Sequence, residues 1–127
     1  MMHPWTDRLA RFAIADDEHH TLLGQIAFWL EESGGRALAG FWVLPSQRQH
    51  GVATTALKLL CSWAFGLPGL ERMGLLINLD NSASQRVATK CGFTREGILR
   101  GYEEARGARQ DLISYSILRT DISRTHR

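Results

Sequence analysis

Apolar and polar side chains alternate in the first third of the chain, and this alternation predicts β-strands. From Thr21 to Leu30 an apolar residue or glycine falls on every second position, which is the period of a strand. A shorter run over Phe12–Ala15 has the same character. Arg36–Leu44 is an almost unbroken apolar run that ends at Pro45, and such a run predicts a strand buried on both faces.

Two helices are predicted further along, where apolar residues return every three or four positions. The first extends from about Val52 to Phe65 and ends at Gly66. The second follows the capping residues Asp80–Ser82, and Gly92 is the type of residue expected just after a helix end. The residues of this helix that are predicted to face the core are Ala83, Val87 and Cys91.

Three more strands complete the pattern. They are predicted at Met73–Leu79, between the two helices, and at Thr94–Tyr102 and Asp111–Arg119, which form a hairpin around Gly107. The order β-β-β-α-β-α-β-β predicts an α/β protein, with one mixed sheet whose faces are covered by helices. Residues 1–127 are expected to form a single domain, given their number.

Composition excludes several classes of protein. The chain is 44% hydrophobic and 22% charged, which is ordinary for a globular domain and argues against disorder. No apolar run reaches the roughly 20 residues of a membrane span, and no secretory signal is recognisable. Cys61 and Cys91 are too few for a disulfide framework, and no His/Cys pair has metal-ligand spacing. A cytoplasmic protein without a metal is therefore expected.

Charge is distributed unevenly, although the formal net charge is only +2. The first forty residues are acidic, whereas residues 41–94 carry five Lys and Arg against two acids. A basic middle segment suits an anionic small molecule. It lacks the clustered Lys and Arg with interleaved aromatic residues that nucleic-acid binding requires.

The segment Arg48–Ala53 joins a buried strand to the start of a helix. The first turn of a helix has unpaired backbone N–H groups and the positive end of the dipole, so it attracts anions. Gly51 would let the backbone approach a phosphate closely. An ordinary loop with a turn glycine explains the same residues, and the hexapeptide alone does not decide between the two.

A second segment has the same position relative to the next strand. This segment has the pattern N-x-x-S-x-x-V-x-x-K-x-G-F, which is formed by Asn81, Ser84, Val87, Lys90, Gly92 and Phe93. Asn81 taken alone is a simple helix cap. Because both helix starts would lie beyond the same end of a parallel-like strand pair, however, they are expected to form one ligand site.

Together these segments resemble the acetyl-coenzyme A site of the GCN5-related N-acetyltransferase (GNAT) family, in its RimJ/RimL-like branch. Arg48, Gly51 and Ala53 match the family motif Q/R-x-x-G-x-G/A, and Gly40–Pro45 matches its strand pattern G-[YF]-W-[VI]-x-P. The resemblance extends from about Phe12 to Asp121. It implies acetyl transfer from acetyl-CoA to a primary amine, either a protein N-terminus or a small molecule.

The resemblance also implies roles for individual residues. The backbone of Trp42 and Val43 would pair with the pantetheine arm, and the amide near Val43 would stabilise the developing oxyanion. The amides of residues 48–54 would hold the pyrophosphate, with Asn81 and Ser84 on the other side. The implied coenzyme-binding residues are thus Trp42, Val43, Arg48, Gln49, His50, Gly51, Val52, Ala53, Thr54, Asn81 and Ser84.

The acid and base of the family are not matched. Leu38 stands where many relatives have a strand glutamate, and Ala88 stands where other branches have a tyrosine acid. Tyr102 is the provisional acid. The other candidates, each of a type usually found at the surface, are Glu103, Glu104, Asp111, His19 and His20. Cys91 lies on an apolar helix line and is interpreted as a structural thiol rather than a nucleophile.

Relatives begin with a strand and two helices, for which the residues before Phe12 leave little room. Met1–Arg11 is expected to form at most one short helix, with Trp5 and Leu9 on its apolar side. The usual first strand and one helix would then be absent. A sheet left uncovered in this way is a liability, and the prediction is that a second copy of the chain covers it as a homodimer.

Three functions are compatible with the sequence. The first is a small acetyl-CoA-dependent N-acetyltransferase. The second is a non-catalytic acyl-CoA-binding module, suggested by Leu38 and Ala88. The third is a structural domain that keeps only the fold. Binding of acetyl-CoA separates the first two from the third, and thiol release with amines separates the first from the second.

Overall fold

Six strands form one mixed sheet in a computed structural model that describes residues 9–31, 34–48 and 51–125. The spatial order of the strands is β1-β2-β3-β4-β6-β5. The strands are β1 (Leu9–Ala15), β2 (Leu22–Leu30), β3 (Arg36–Val43), β4 (Arg72–Asn78), β5 (Thr94–Ala105) and β6 (Ala108–Leu118). The helices are α1 (Val52–Ala64), α2 (Ser82–Lys90) and α3 (Arg119–Thr125).

One face of the sheet forms the core, and α1 and α2 pack on it. Residues that face each other across paired strands share a side of the sheet, so the register places Phe28, Ala39, Leu75 and Tyr115 in one transverse row. All four are buried in the same apolar cluster. From the helices, Leu57 and Ala88 enter this cluster with no exposed surface. This row therefore belongs to the surface on which α1 and α2 pack.

The two central strands are joined at one end only. β3 and β4 are parallel, and their register extends from Arg36 opposite Arg72 to Ala39 opposite Leu75. Beyond these residues β3 continues beside β2, and β4 continues beside β6. The joined end is held by Gly35, whose carbonyl accepts the Glu71 and Arg72 amides at 2.7 and 3.1 Å. The strands therefore separate towards their carboxyl ends and leave an opening in the sheet.

The predicted element order and mixed sheet are confirmed, with one addition and three corrections. The addition is α3, which has no amphipathic pattern long enough to be recognised in the sequence. Leu9, Ala10 and Arg11 belong to β1 and pair with β2, so the short helix predicted over Met1–Arg11 is wrong at these positions. Its remaining part lies outside the described residues.

The second correction concerns β3, which is not buried on both faces. Ala37, Ala39 and Val43 are buried beneath α1, whereas Trp42, on the opposite side, is 46% exposed. The third concerns α2, because Ala83 is exposed and Ala88 is its innermost residue. Ala83 instead lines the opening between β3 and β4, and the part of α2 that enters the core is around Ala88.

No helix in the described ranges is both long and apolar enough to cross a membrane. The face of the sheet opposite α1 and α2 carries a polar network at the joined end. Arg72 donates two hydrogen bonds to Glu96, at 2.8 and 2.7 Å, and the Ser114 hydroxyl donates a third at 3.0 Å. These bonds link β4, β5 and β6.

The Arg72–Glu96 network predicts a pH dependence of stability. The bidentate bond from Arg72 is the main reason that the pKa of Glu96 falls from 4.5 to about 2, and Ser114 and Ser116 contribute further. Since the folded state favours the carboxylate, this stabilisation is complete above pH 4.5 and is lost as the pH falls towards about 2. Both side chains are about one third exposed, so solvent screening keeps the effect modest.

Glu96→Gln is therefore expected to reduce stability at neutral pH and to flatten its decline in acid. The measurement is urea unfolding of both proteins at several pH values between about 6 and about 2. Glu104→Gln, an exposed position on the same strand, is the matched control. Equal acid dependence of the Glu96→Gln variant and the unaltered protein would exclude a stabilising role for this pair.

Candidate functional site

The opening between β3 and β4 is a cleft of about 760 Å³, called here the β3–β4 cleft. Its walls come from the carboxyl ends of the two strands and from the first turns of α1 and α2. Open sheets of this kind bind ligands where parallel strands diverge. The described lining residues are Phe41, Trp42, Val43, Gln47, Arg48, Gly51, Val52, Ala53, Thr54, Asn78, Asp80, Asn81, Ala83, Ser84, Arg86, Val87 and Lys90.

The first turn of α1 presents backbone N–H groups to the cleft. Gly51 is the N-cap residue, with φ of 75°, and no side chain caps the helix. The amide of Thr55 donates to the Gly51 carbonyl at 3.0 Å. The amides of Val52, Ala53 and Thr54 therefore precede the first intrahelical bond. Together with the helix dipole, they make this turn a site for an anion.

Gly51 combines a backbone conformation that favours glycine with open space around it. Its positive φ lies in the left-handed region, which side chains other than glycine adopt only at a cost. A Cβ placed on Gly51 would also meet no atom within 4 Å, so the space in front of the turn is open. The backbone is thus accessible to a ligand at this point, and any side chain here would project into that space.

The register of β3 decides which of its backbone groups face the cleft. The Leu44 amide donates to the Leu23 carbonyl at 2.8 Å, and the Glu31 amide donates to the Arg36 carbonyl at 2.9 Å. Antiparallel strands alternate hydrogen-bonded and non-hydrogen-bonded pairs. Trp42, opposite Gln25, therefore has its backbone bonds directed to β2. Phe41 and Val43 have theirs directed away from β2, into the cleft.

This alternation revises the predicted pantetheine contacts. The backbone of Val43 faces the cleft as expected, whereas that of Trp42 does not, and Phe41 takes its place. The sequence contains the signal, since period-two alternation assigns residues 41 and 43 to one side. Only the bonds at the two ends of the hairpin reveal which side that is. Trp42 still lines the cleft through its side chain.

Arg48 has a different role from the one expected of its backbone. Its amide donates to the Pro45 carbonyl at 3.3 Å, and its Nε donates to the Val43 carbonyl at 3.4 Å. The Arg48 amide is therefore committed within the short helical turn Pro45–Gln47, and its guanidinium lies beside the end of β3. Gln49 and His50 lie outside the described residues.

Asn81 acts as the cap of α2. Its Oδ1 accepts the Ser84 amide at 3.1 Å, and its own amide donates to the Asn78 carbonyl at 3.0 Å. Asn81 is therefore a helix cap, which is the simpler of the two roles considered for it, the other being a part of a ligand site. Both Asn81 and Ser84 also line the cleft, opposite the first turn of α1.

Asn81→Ala is expected to cost about 1 kcal/mol of stability, since it removes the N-cap bond. Asn81→Asp keeps an acceptor for the Ser84 amide and is the matched comparison, with little loss expected. Urea unfolding of the two variants measures the difference. If Asn81→Ala and Asn81→Asp lose the same stability, the loss is not caused by removal of the bond between Asn81 Oδ1 and the Ser84 amide.

Five polar residues of the cleft were not among the coenzyme-binding residues predicted from the sequence: Gln47, Asn78, Asp80, Arg86 and Lys90. Lys90 did belong to the second sequence pattern, but without an assigned role. Arg86 and Lys90 are one turn apart on the exposed side of α2, and Asn78 lies at the end of β4. The i, i+4 spacing of the two cations was a usable signal, although cations on exposed helix faces are common. With Arg48 they make three cations, and Asp80 is the sole carboxylate among the described lining residues. The cleft therefore suits a polyanion.

The structure does not bring the proposed acid and base candidates into the cleft. Tyr102 is 55% exposed in β5 and does not line it. Glu103, Glu104 and Asp111 are on the same hairpin, where the Asp111 carboxylate accepts the Gly101 amide at 2.7 Å. His19 and His20 lie in the turn between β1 and β2. None of these six residues is among the described residues that line the cleft.

Cys91 has the environment of a structural thiol. Its Sγ donates to the Thr54 carbonyl at 3.4 Å, which ties α2 to α1. Burial raises the pKa of Cys91, and burial raises the pKa of Cys61 to about 12. Both thiols therefore remain protonated at neutral pH, which is unfavourable for a nucleophile. Within the described ranges, no three His, Cys, Asp or Glu side chains are grouped as metal ligands.

Comparison with known proteins identifies the family. The model of the acetyltransferase (GNAT) domain matches residues 2–94. The chain therefore belongs to the GNAT acetyltransferase family, as the motifs of the two helix starts indicated.

Individual relatives agree with this assignment. The protein named Uncharacterized N-acetyltransferase YoaA, from Bacillus subtilis, is 34% identical over 110 residues, which are 86% of this chain and 62% of that protein. RimJ from Mycobacterium smegmatis, solved with CoA-disulfide, is 28% identical with a TM-score of 0.83, over 91% of this chain and 55% of that one. The chain thus spans about three fifths of its curated relatives.

A more distant structure shares the fold. A mutant form of spermidine N-acetyltransferase SpeG from Vibrio cholerae aligns with a TM-score of 0.84 at 20% identity. The alignment covers 96% of this chain and 72% of that one. The predicted GNAT fold is therefore confirmed, and the similarity to the RimJ structure agrees with the predicted branch.

Proposed function

We propose that this chain carries an acetyl-CoA-dependent N-acetyltransferase domain that acetylates a primary amine. The observation on which the proposal rests is the β3–β4 cleft, where α1 amides without an intrahelical acceptor and the backbone of β3 face one ligand-sized space. Family membership supports the same activity. The RimJ relative was solved with a coenzyme A derivative, which supports the choice of ligand.

The described residues fit coenzyme A by its chemistry. The amides of Val52, Ala53 and Thr54 would hold the diphosphate, because they have no intrahelical acceptor and lie at the positive end of α1. Arg48, Arg86 and Lys90 would neutralise phosphate charge along the cleft. The two amide groups of the pantetheine arm would pair with the backbone of Phe41 and Val43, as a strand added to the sheet. Ser84 and Asn81 form the opposite wall.

The reaction proposed is direct transfer. The amine nitrogen, in its neutral form, forms a bond to the thioester carbonyl carbon while the bond from that carbon to sulfur breaks. The carbonyl oxygen gains negative charge during the attack, and the Val43 amide is the proposed donor to it. The amine loses one proton to solvent, and the thiolate leaving group takes up one proton. The products are an amide and free coenzyme A.

Solvent is proposed as the proton carrier because the described lining contains no tyrosine, histidine or glutamate. Tyr102 is not proposed as the acid, because it is not among the described residues that line the cleft. A weakly catalytic or non-catalytic acyl-CoA-binding domain is the alternative, and Leu38 and Ala88 at the family's usual acid and base positions favour it. The acceptor class proposed is a protein N-terminus or a small amine, and spermidine, in the name of the SpeG structure that shares the fold, is a small amine.

Two measurements test the proposal in sequence. Acetyl-CoA should raise the melting temperature of the protein, since a ligand that binds the native state stabilises it. Release of coenzyme A thiol with a panel of amines should then exceed the rate without amine. Absence of any thermal shift would exclude both the enzyme and the binding module. A shift without amine-dependent thiol release would leave the binding module as the function.

We also propose that a second copy of the chain covers the face of the sheet opposite α1 and α2. Among the described residues, Trp42 is 46% exposed on this face, and the buried residues of α1 and α2 all belong to the other one. Exposed apolar surface of this kind favours association. Light scattering at micromolar concentration should give the mass of a dimer, and a strictly monomeric protein would contradict the proposal.

A further inference from the structure

A second cavity lies on the other side of the first turn of α1. It has a volume of about 810 Å³ and is bounded by β1, the start of β2 and the length of α1; we call it the β1–α1 groove. Gly51 and Val52 line both this groove and the β3–β4 cleft. The proposed coenzyme site makes no use of the remaining groove residues.

The long wall of the groove is apolar and aromatic. The Trp63 ring packs edge-on against Phe12, with ring centroids 5.3 Å apart, and against Phe28 at 5.7 Å. These contacts fix its orientation, yet Trp63 remains 49% exposed and the neighbouring Leu59 is 66% exposed. Ile26 and Leu60 are buried at the floor. A rigid aromatic ring that is half open to solvent is a suitable surface for an apolar body or a cation.

The end of the groove is acidic. Asp16, Asp17 and Glu18 line it, and no described lining residue is Lys or Arg. The turn that carries them is ordered by its own hydrogen bonds: the Asp16 amide donates to Thr21 at 2.9 Å, and the Glu18 amide donates to the Asp16 carboxylate at 2.7 Å. Glu18 lies 3.7 Å from the exposed His19. The groove therefore has three acidic residues beside its apolar wall, and its described lining contains no Lys or Arg to pair with them.

We propose that the β1–α1 groove is a second binding site, specific for a small organic cation with an apolar body. The apolar part would lie on Trp63 and Leu59, and the cationic group would lie at Asp17 and Glu18. The volume is in the range of small-molecule sites, which favours a compact ligand over a long peptide. The charge of the groove is opposite to that of the β3–β4 cleft, so the two cavities select ligands of opposite sign.

Binding at the groove should also affect the cleft. Because Gly51 and Val52 belong to both cavities, a ligand in the groove would change the environment of the turn that holds the anion. Coupling between two sites is reciprocal, so acetyl-CoA should change the affinity for the cation by the same factor. This consequence rests on the proposed function, whereas binding of the cation itself does not.

Phenethyltrimethylammonium is the probe that tests the site. Its quaternary nitrogen has neither a proton nor a lone pair, so it cannot be acetylated, and its binding is independent of any transferase activity. Titration of the protein followed by NMR should give saturable shifts at the Trp63 indole. Phenethyl alcohol and hydrocinnamate, the neutral and anionic analogues, should bind at least about fivefold more weakly. Equal binding of all three would overturn the proposal.

Substitutions at the two ends of the groove test where the cation binds. Asp17→Asn combined with Glu18→Gln, and separately Leu59→Arg, should each weaken binding of the probe about fivefold or more. All three positions are exposed, so the fold should survive, and circular dichroism checks this. Asp80→Asn, which removes a carboxylate from the β3–β4 cleft, should leave probe binding unchanged.

Two further outcomes would count against the site. Unchanged probe affinity in both acidic and Leu59 variants would show that the cation binds elsewhere. A dimer in sedimentation that dissociates in the Leu59→Arg variant would mean that a second copy, rather than a small cation, occupies the groove.

Discussion

Gly51→Glu is expected to abolish the thermal shift produced by acetyl-CoA. A Cβ at Gly51 would meet no atom within 4 Å, so a glutamate side chain has room at the start of α1, where Gly51 lines the β3–β4 cleft. A carboxylate at this point would face the diphosphate, and a like-charge contact in a binding site costs several kcal/mol. The dissociation constant should therefore rise by at least about a hundredfold, as measured by calorimetry.

The matched control for this variant is Gly107→Glu. Gly107 has φ of 77°, close to the 75° of Gly51, and its added Cβ would likewise meet no atom within 4 Å. It lies between β5 and β6, outside the cleft lining, so Gly107→Glu imposes similar backbone strain without the charge at the site. It should keep the shift. An unchanged shift with Gly51→Glu would refute the assignment of α1 as the diphosphate site.

Leu57→Ala is expected to give the largest loss of stability, about 2–5 kcal/mol. Leu57 has no exposed surface and lies in the core cluster between α1 and the sheet. Truncation would leave a cavity beneath the helix whose first turn forms one wall of the cleft. Urea unfolding with linear extrapolation measures the change.

Leu59→Ala is the control, since it makes the same chemical change two residues further along α1. Leu59 is 66% exposed, so the expected change is within about 0.5 kcal/mol. Similar losses for the two variants would mean that α1 does not pack on the sheet through the Leu57 side. A large loss for Leu57→Ala alone supports the helix orientation on which the site depends.

Much of the fold could be predicted from local patterns. The alternation in Thr21–Leu30 and the helical spacing in Val52–Phe65 each arise because one side of an element must be buried. These two predictions agree with β2 and α1 to within one residue at most boundaries. The predicted inner line of α2 was less accurate. Its first turn borders the cleft rather than the core, and no local pattern reports where the two central strands separate.

The candidate site was predictable where it depends on backbone. Gly51, between a buried strand and a helix, is compatible with an accessible helix start or with an ordinary turn, and the second motif at Asn81–Phe93 favoured the accessible start. The side chains were less predictable. Arg86 is an ordinary surface cation in the sequence, and Lys90 was part of the second motif without an assigned role. The position of α2 beside the separated strands makes both of them part of the cleft.

The sequence by itself determined the element order, the helix start at Gly51 and membership of the GNAT family, because these follow from periodicity and from motifs contiguous in the chain. Tertiary structure alone decided three things: that β3 and β4 part after Ala39 and Leu75, that Phe41 and Val43 rather than Trp42 present their backbone to the cleft, and that Tyr102 lies away from it. Each depends on the register between strands distant in the chain. Register is set by how whole faces are buried together, which no short segment encodes.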